Sequence, residues 1–467
     1  MITRSVQLTR LAPAHRALAE GRYAAAHALL EDAARRTPAR RTQAQYHLHL
    51  AAAEALGGEE GVDRGRRALV EAARLDPGCV THPLYRALHW EFRALRGATA
   101  SEVRRGMRGL DAQHDAVAAY HAASALYLAG AARTARRALH ALTSEALPAY
   151  LRWRRASLLG MAAADAGAWQ EAADAFGSSW TEAPPEERVR EGVRLASALL
   201  ELGRFDEMAP LLDAVDAAEV DRSLRSKARQ LAGRAEIGLG NPGRALGALA
   251  EAERIAPEAD LRDEAVQAAV QALLLQGRSA EAAERLEQLV ARAPAEARAV
   301  TMHERAAALL DADLADEAEA VLVGVLSDPD YAYRAEATAD LADARLRRGD
   351  LAGAEETGHQ ALAAGAVAPA CLTLGQVAFE YFALDDAAGW FEQAASAATP
   401  GEPIWLAAQQ LLADVFIQRG PEGAERVLIH ARLALAHTEP NSEWAVSLHA
   451  HVAQARSWLG GFDRILN

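Results

Sequence analysis

Lysine occurs once in 467 residues, at Lys227, asparagine three times (Asn241, Asn441 and Asn467) and cysteine twice. Each scarcity excludes something. A single lysine with no glycine-rich run before it rules out a nucleotide-binding P-loop. Cys79 and Cys371 make no disulfide framework and suit a reduced, cytoplasmic setting. Aromatics are 5% of the chain, and runs rich in Val, Ile, Thr, Tyr and Phe are missing, which argues against a sizeable sheet. The longest uncharged stretch, Gln360–Phe379, is broken by Gly365, Pro369 and Gly375, and lacks the dense apolar core of a membrane span. The N-terminus has scattered arginines and no apolar core of signal-peptide length.

What the chain does have is alanine, which dominates a hydrophobic fraction of 51%. Alanine is the best helix former and lets helices approach closely, so an all-α protein is expected. The net charge of −14 does not suit a general nucleic-acid binder. That charge is uneven: residues 1–160 carry 24 Arg against 14 Asp and Glu, whereas residues 161–467 carry 26 basic and 50 acidic residues. The preference for arginine over lysine is the kind of bias a GC-rich bacterial genome produces.

One spacing recurs. In "AEGRYAAAHALLEDAARRTP", Gly21 is followed by Ala26 at +5, Leu30 at +9, Ala33 at +12 and Pro38 at +17. Gly167, Gly240 and Gly277 begin the same series, and Gly203 and Gly349 keep most of it. The anchors Gly130, Gly167, Gly203, Gly240, Gly277, Asp313 and Gly349 stand 36 or 37 residues apart, a period that signals stacked helical hairpins. The glycine closes a first helix in a left-handed turn. The +5 residue is small where two helices meet, and the +9 and +12 residues share the buried face of the second helix. Proline then ends the unit. A lone hairpin cannot cover its apolar face, but stacked neighbours can.

On these residues the chain resembles the tetratricopeptide repeat (TPR) family. The likeness is plainest at Leu159, Gly160, Trp169, Ala172 and Phe176, and at Leu374, Gly375, Ala387, Phe391 and Ala394. Departures include Phe382 in place of the turn glycine, the insertion "GGEEGVDRG" in the second unit, and a third unit marked only by Thr99 and Glu102 at capping-box spacing. The resemblance implies a right-handed superhelical α-solenoid of antiparallel helix pairs, about twelve repeats over residues 1–441. A capping helix, with Ser442 at its N-cap, and a short tail fill 442–467.

Motifs of chemistry give little. Gly238–Gly243 spells G-x-G-x-x-G, but it follows a helical pattern and Gly240 already serves the repeat turn. Asp311–Glu317 lacks the EF-hand glycine, and Leu322 stands where the closing glutamate belongs. Of 15 histidines, His47/His49 and His449/His451 are two apart and share no helix face. His82/His89 and His114/His121 are seven apart and share one, without Cys or carboxylate ligands at useful spacing; they read as ordinary helix histidines. No G-x-S-x-G elbow or nucleophile–base set stands out. The expectation is therefore no metal, no cofactor and no enzyme, and small-molecule ligands are set aside because arrays of small residues offer few deep cavities.

What remains is surface. In the TPR family the first helix of each pair lines the inner, concave face, which commonly binds a peptide. Counting back from the turn glycines places Tyr120, Ser124 and Tyr127 there, with His121 beside them. Thirteen residues before the next three turns stand Arg154, Arg190 and Lys227, with Arg194 and Arg234 nearby, while later units offer Glu264, Glu336, Asp340 and Asp343. The expected function is a non-enzymatic interaction scaffold holding an acidic peptide against this basic stripe. A regulatory or sensor subunit of a transcription or signalling system, and nucleic-acid binding by the basic first 160 residues, are the alternatives. Chaperone C-termini are not expected, because the family's carboxylate clamp combines lysines with asparagines. The tryptophans are expected mainly in packing.

Overall fold

The computed structural model of the chain describes residues 11–465 apart from 111–114, 217, 439 and 441. Among the described residues there are 25 α-helices and five short 3₁₀ turns, and no strand. They follow one another as helix–turn–helix pairs in a TPR-like array. Contacts divide the chain into two compact units, Met1–Ala265 and Val266–Asn467.

The turns behave as the spacing predicts. Gly21, Gly130, Gly167, Gly203, Gly240, Gly277 and Gly349 all have φ between 69° and 79°. The two departures take the same conformation without glycine: Asp313 at φ 60° and Phe382 at φ 58°. In each case the residue after the turn bonds back five positions, as in Ala168 N to Ala163 O (2.9 Å) and Ala383 N to Ala378 O (2.9 Å). This closes an orphan carbonyl of the first helix.

The rungs are buried. Ala26, Ala172, Ala245, Ala282, Ala318, Ala354 and Ala387, all at +5, are fully enclosed, as are Leu249, Leu322 and Phe391 at +9. The +9 aromatic lies on a first-helix glycine: a Cβ on Gly375 would stand 2.5 Å from the Phe391 ring, and one on Gly160 2.6 Å from Phe176. Proline serves as predicted where Pro184 and Pro294 immediately precede helices Pro185–Glu201 and Ala295–Asp311.

In the first unit, the insertion of the second hairpin forms the 3₁₀ turn Gly58–Gly61, which leads into helix Val62–Leu75. The third hairpin has a second helix of seven residues, Ala100–Gly106, and Thr99 and Glu102 complete its capping box. The N-terminal hairpin, helices Leu11–Ala19 and Tyr23–Arg35, does more than pack on its successor. Helix Leu11–Ala19 also touches helix Ala149–Ala164, four hairpins later. Ala17, Leu18 and Ala26 thereby join one core with Tyr120, Tyr150 and Leu151.

In the second unit, Ser442 Oγ accepts the amide of Ala445 (3.2 Å) and starts the last helix, Glu443–Ile465. That helix continues through Gly460, further than its glycine pair suggests, and buries Ala445, Leu448, Val452 and Ala455. Cys79 and Cys371 are buried free thiols, pushed above the usual thiol range by that burial. No helix among the described residues is long and apolar enough to cross a membrane.

Candidate partner-binding face

The first helices stand side by side in register, and bonds between residues one period apart prove it. Lys227 Nζ donates to Glu264 Oε2 (2.5 Å), 37 positions on. Arg194 donates to Ser157 Oγ (2.7 Å), and His303 Nε2 meets Asp340 Oδ2 (2.9 Å), each also across 37 positions. The residues of the expected stripe differ in what they hold.

Arg190 is exposed and donates to Glu187 one turn earlier (3.2 Å). Lys227 and Arg234 are part-exposed, and Arg234 reaches Glu201 on the neighbouring first helix (3.5 Å). The Lys227 and Arg234 pairs are solvated, each worth about 0.2–1 kcal/mol, whereas Glu187 is largely enclosed and has a second partner. Arg194 sits deeper and pairs with Glu191. Glu191 is fully enclosed and also accepts from Ser157 (3.0 Å) and Ser179 (2.8 Å), so a buried carboxylate is satisfied by three donors across two hairpins. Nothing in the local sequence marks Glu191; only its partners' convergence does.

Arg154 is buried. Its guanidinium lies over the Trp153 ring (4.2 Å to the centroid), donates to Tyr150 O (3.0 Å), and donates to the Tyr23 hydroxyl of the N-terminal hairpin. Tyr23 in turn donates to Glu187 Oε1 (3.2 Å). This position of the stripe is therefore covered by the chain's own first hairpin.

The aromatic patch lies inside as well. Tyr120 is buried, with its hydroxyl pushed above the ordinary phenol range by that burial. His121 is fully enclosed, its Nδ1 2.6 Å from Glu91 Oε2. Ser124 is buried, and Tyr127 is half-buried, pushed up to about 12 by burial and by facing Asp165. Around them His15 meets His49 (5.7 Å between ring centroids) and Tyr150 (5.0 Å). His49 is pushed down to about 3, first by burial and then by the neighbouring histidines His15, His82 and His121.

The acidic continuation in the second unit is mostly engaged. Asp340 holds His303, and Asp343 accepts from Arg347 (3.0 Å) while its pKa is raised by burial despite that partner. Gly238 ends helix Arg222–Gly238 and Gly240 is the hairpin turn, so the G-x-G-x-x-G follows a helix. Asp313 of the acidic run is a turn residue, and Asp316 pairs with Arg348. His82 caps its own helix by accepting Leu84 N (3.2 Å), and His114 lies outside the described residues. Trp153 and Trp405 are buried, and Trp444 is exposed.

No known family profile matches the sequence, and no curated protein is significantly similar to it. Solved structures are similar in fold. PilF of Pseudomonas aeruginosa shares 17% identity at a TM-score of 0.35, over 49% of this chain and 98% of that one. A tetratricopeptide repeat protein of Parabacteroides merdae shares 14% at 0.41, over 55% and 97%. The Cut9–Hcn1 assembly of the APC/C shares 13% at 0.39, over 97% and 96%. The TPR-like character of this chain is carried by its own hairpins.

Proposed function

We propose that this chain is a non-enzymatic scaffold that binds a protein partner along the first helices of residues 185–238, through Arg190, Arg194, Lys227 and Arg234. The observation that carries this reading is the set of in-register, part-exposed cations, each paired within the chain with one carboxylate. Such pairs cost little to open. An acidic segment that offers carboxylates at the same spacing can replace Glu187, Glu264 and Glu201 one at a time, and bidentate contacts to arginine fix its direction. Arg194 anchors the face from behind through Glu191. Arg154, Tyr120 and His121 belong to the interior of the first hairpins and support the face rather than line it.

The test is charge reversal at the exposed rungs. Arg190→Glu, Lys227→Glu and Arg234→Glu together are expected to abolish recovery of partners that the unaltered chain captures from its native host, with the helical spectrum retained. Unchanged recovery by the folded triple variant removes the proposal.

A further inference from the structure

We propose that the hollow between helices Val62–Leu75, Pro83–Ala94 and Ala100–Gly106 is a binding site for a small organic oxyanion, a phosphate ester or a polycarboxylate, held by Arg66 and Arg93. The site lies apart from the stripe of residues 185–238, and the inference stands independently of that reading.

The hollow opens at the turn of the third hairpin, where it meets helix Val62–Leu75. Regular second helices such as Trp169–Glu182 and Ser279–Arg292 have 14 residues; Ala100–Gly106 has seven. Its last glycine seats the Trp90 indole, where a Cβ would stand 1.8 Å from the ring. The hollow holds about 500 Å³ and is lined by Leu69, Phe92 and Ala98 together with His89, Arg66, Arg93, Arg96 and Glu102. A volume of this order is that of a metabolite site. All the lining comes from three helices consecutive in sequence and the turn between the last two, so the space is short and suits a compact ligand over an extended chain.

The charges are arranged with cations to spare. Arg66 makes no hydrogen bond or ion pair with the described residues. Arg93 stacks on Trp90 (4.6 Å to the centroid) and has Glu102 only at 3.8 Å. Glu102 cannot turn toward it freely, because Oε2 accepts both the amide (2.8 Å) and the hydroxyl (2.9 Å) of Thr99 in the capping box. Arg96 is matched by Asp63. Two guanidiniums on facing helices are thus left short of carboxylate, over an apolar floor that would take the body of the ligand. His89 feels the same charges: stacked on Tyr85 (6.4 Å) and edge-on to Trp90 (5.7 Å), it is held below the ordinary imidazole range by burial, then by Arg93 and Arg66. An anion seated between the two arginines cancels part of that field, so binding draws a proton onto His89.

The full chain is titrated with inorganic phosphate and, separately, with citrate, while heat and the His89 ring resonances are followed. Saturable binding is expected, weakened at least about tenfold in Arg66→Glu and in the gentler Arg66→Gln, with the His89 pKa rising on saturation. Stronger binding of phosphate points to a phosphate ester, and stronger binding of citrate to a polycarboxylate. Equal, non-saturable responses in the unaltered chain and both folded variants overturn the site. So does an acidic peptide that saturates in an Arg66-dependent way where neither small anion does, since it assigns these arginines to protein docking.

Discussion

Phe382 shows how strongly the hairpin turn constrains a single residue. It is 82% exposed, so its ring gains almost nothing from packing, yet it is held at φ 58° where a side chain is strained. Phe382→Gly is expected to stabilise the second unit by about 0.5–1 kcal/mol, the relief of strain exceeding the added chain entropy of glycine; a rise in the denaturant midpoint at constant slope checks this. Gly375 is the converse. Its Cα faces the Phe391 ring, and an added methyl group has nowhere to go. Gly375→Ala should cost about 1–3 kcal/mol by overpacking, although alanine is the better helix former. A midpoint that rises instead would show that the ring can move aside.

At the scale of the helix, one periodic surface carries two energetically different kinds of charge. Glu191 and Arg194 lie deep and form a network in which removing one partner strands the other. Arg190, Lys227 and Arg234 lie in partial solvent and can be reversed at small cost. The triple charge reversal should therefore leave the melting midpoint nearly in place while it removes partner binding. Arg66→Gln, likewise at an exposed residue without a partner, should alter anion binding and not stability. If either variant unfolds, the surface has been misassigned as solvated.

Over the whole molecule, acid should act on the two units with opposite sign. His15, His47, His49 and His89, all in the first unit, have pKa values lowered chiefly by burial. A base with a lowered folded pKa binds more protons when unfolded, so its contribution is present above pH ~6.5 and lost as pH falls. For His49 that loss continues toward about 3. In the second unit Glu304, Asp343 and Asp414 are raised by burial, which favours folding as pH falls toward their range, against the lowered imidazole of His430 and the carboxyl of Glu281, lowered by its bond to Arg278. Amide hydrogen exchange at falling pH should thus show protection lost in residues 11–55 before it is lost beyond residue 266. His49→Phe should flatten the acid slope of the first unit; an unchanged slope would place the acid sensitivity elsewhere.

The sequence by itself determined the hairpin. The turn glycines, the +5 alanines and the +9 and +12 rungs are local requirements repeated at a fixed interval, so each can be read from residues within one unit, and the interval by itself sets Arg190, Lys227 and Glu264 at equivalent positions of successive units. The same counting could not separate surface from interior at Tyr120, His121 and Arg154. Tyr120 and Arg154 are covered by the N-terminal hairpin, far earlier in the chain, and His121 by Glu91 of the third hairpin; Tyr23 meets Arg154 only because the first helices close upon one another. Likewise the hollow at Arg66 lies where the turn of the third hairpin meets helix Val62–Leu75, a meeting that no spacing within one unit specifies. Spacing specifies which side of a helix a residue occupies. How far neighbouring helices rotate and close, and hence which charge finds a partner, depends on packing summed over many units, and tertiary structure alone decided it.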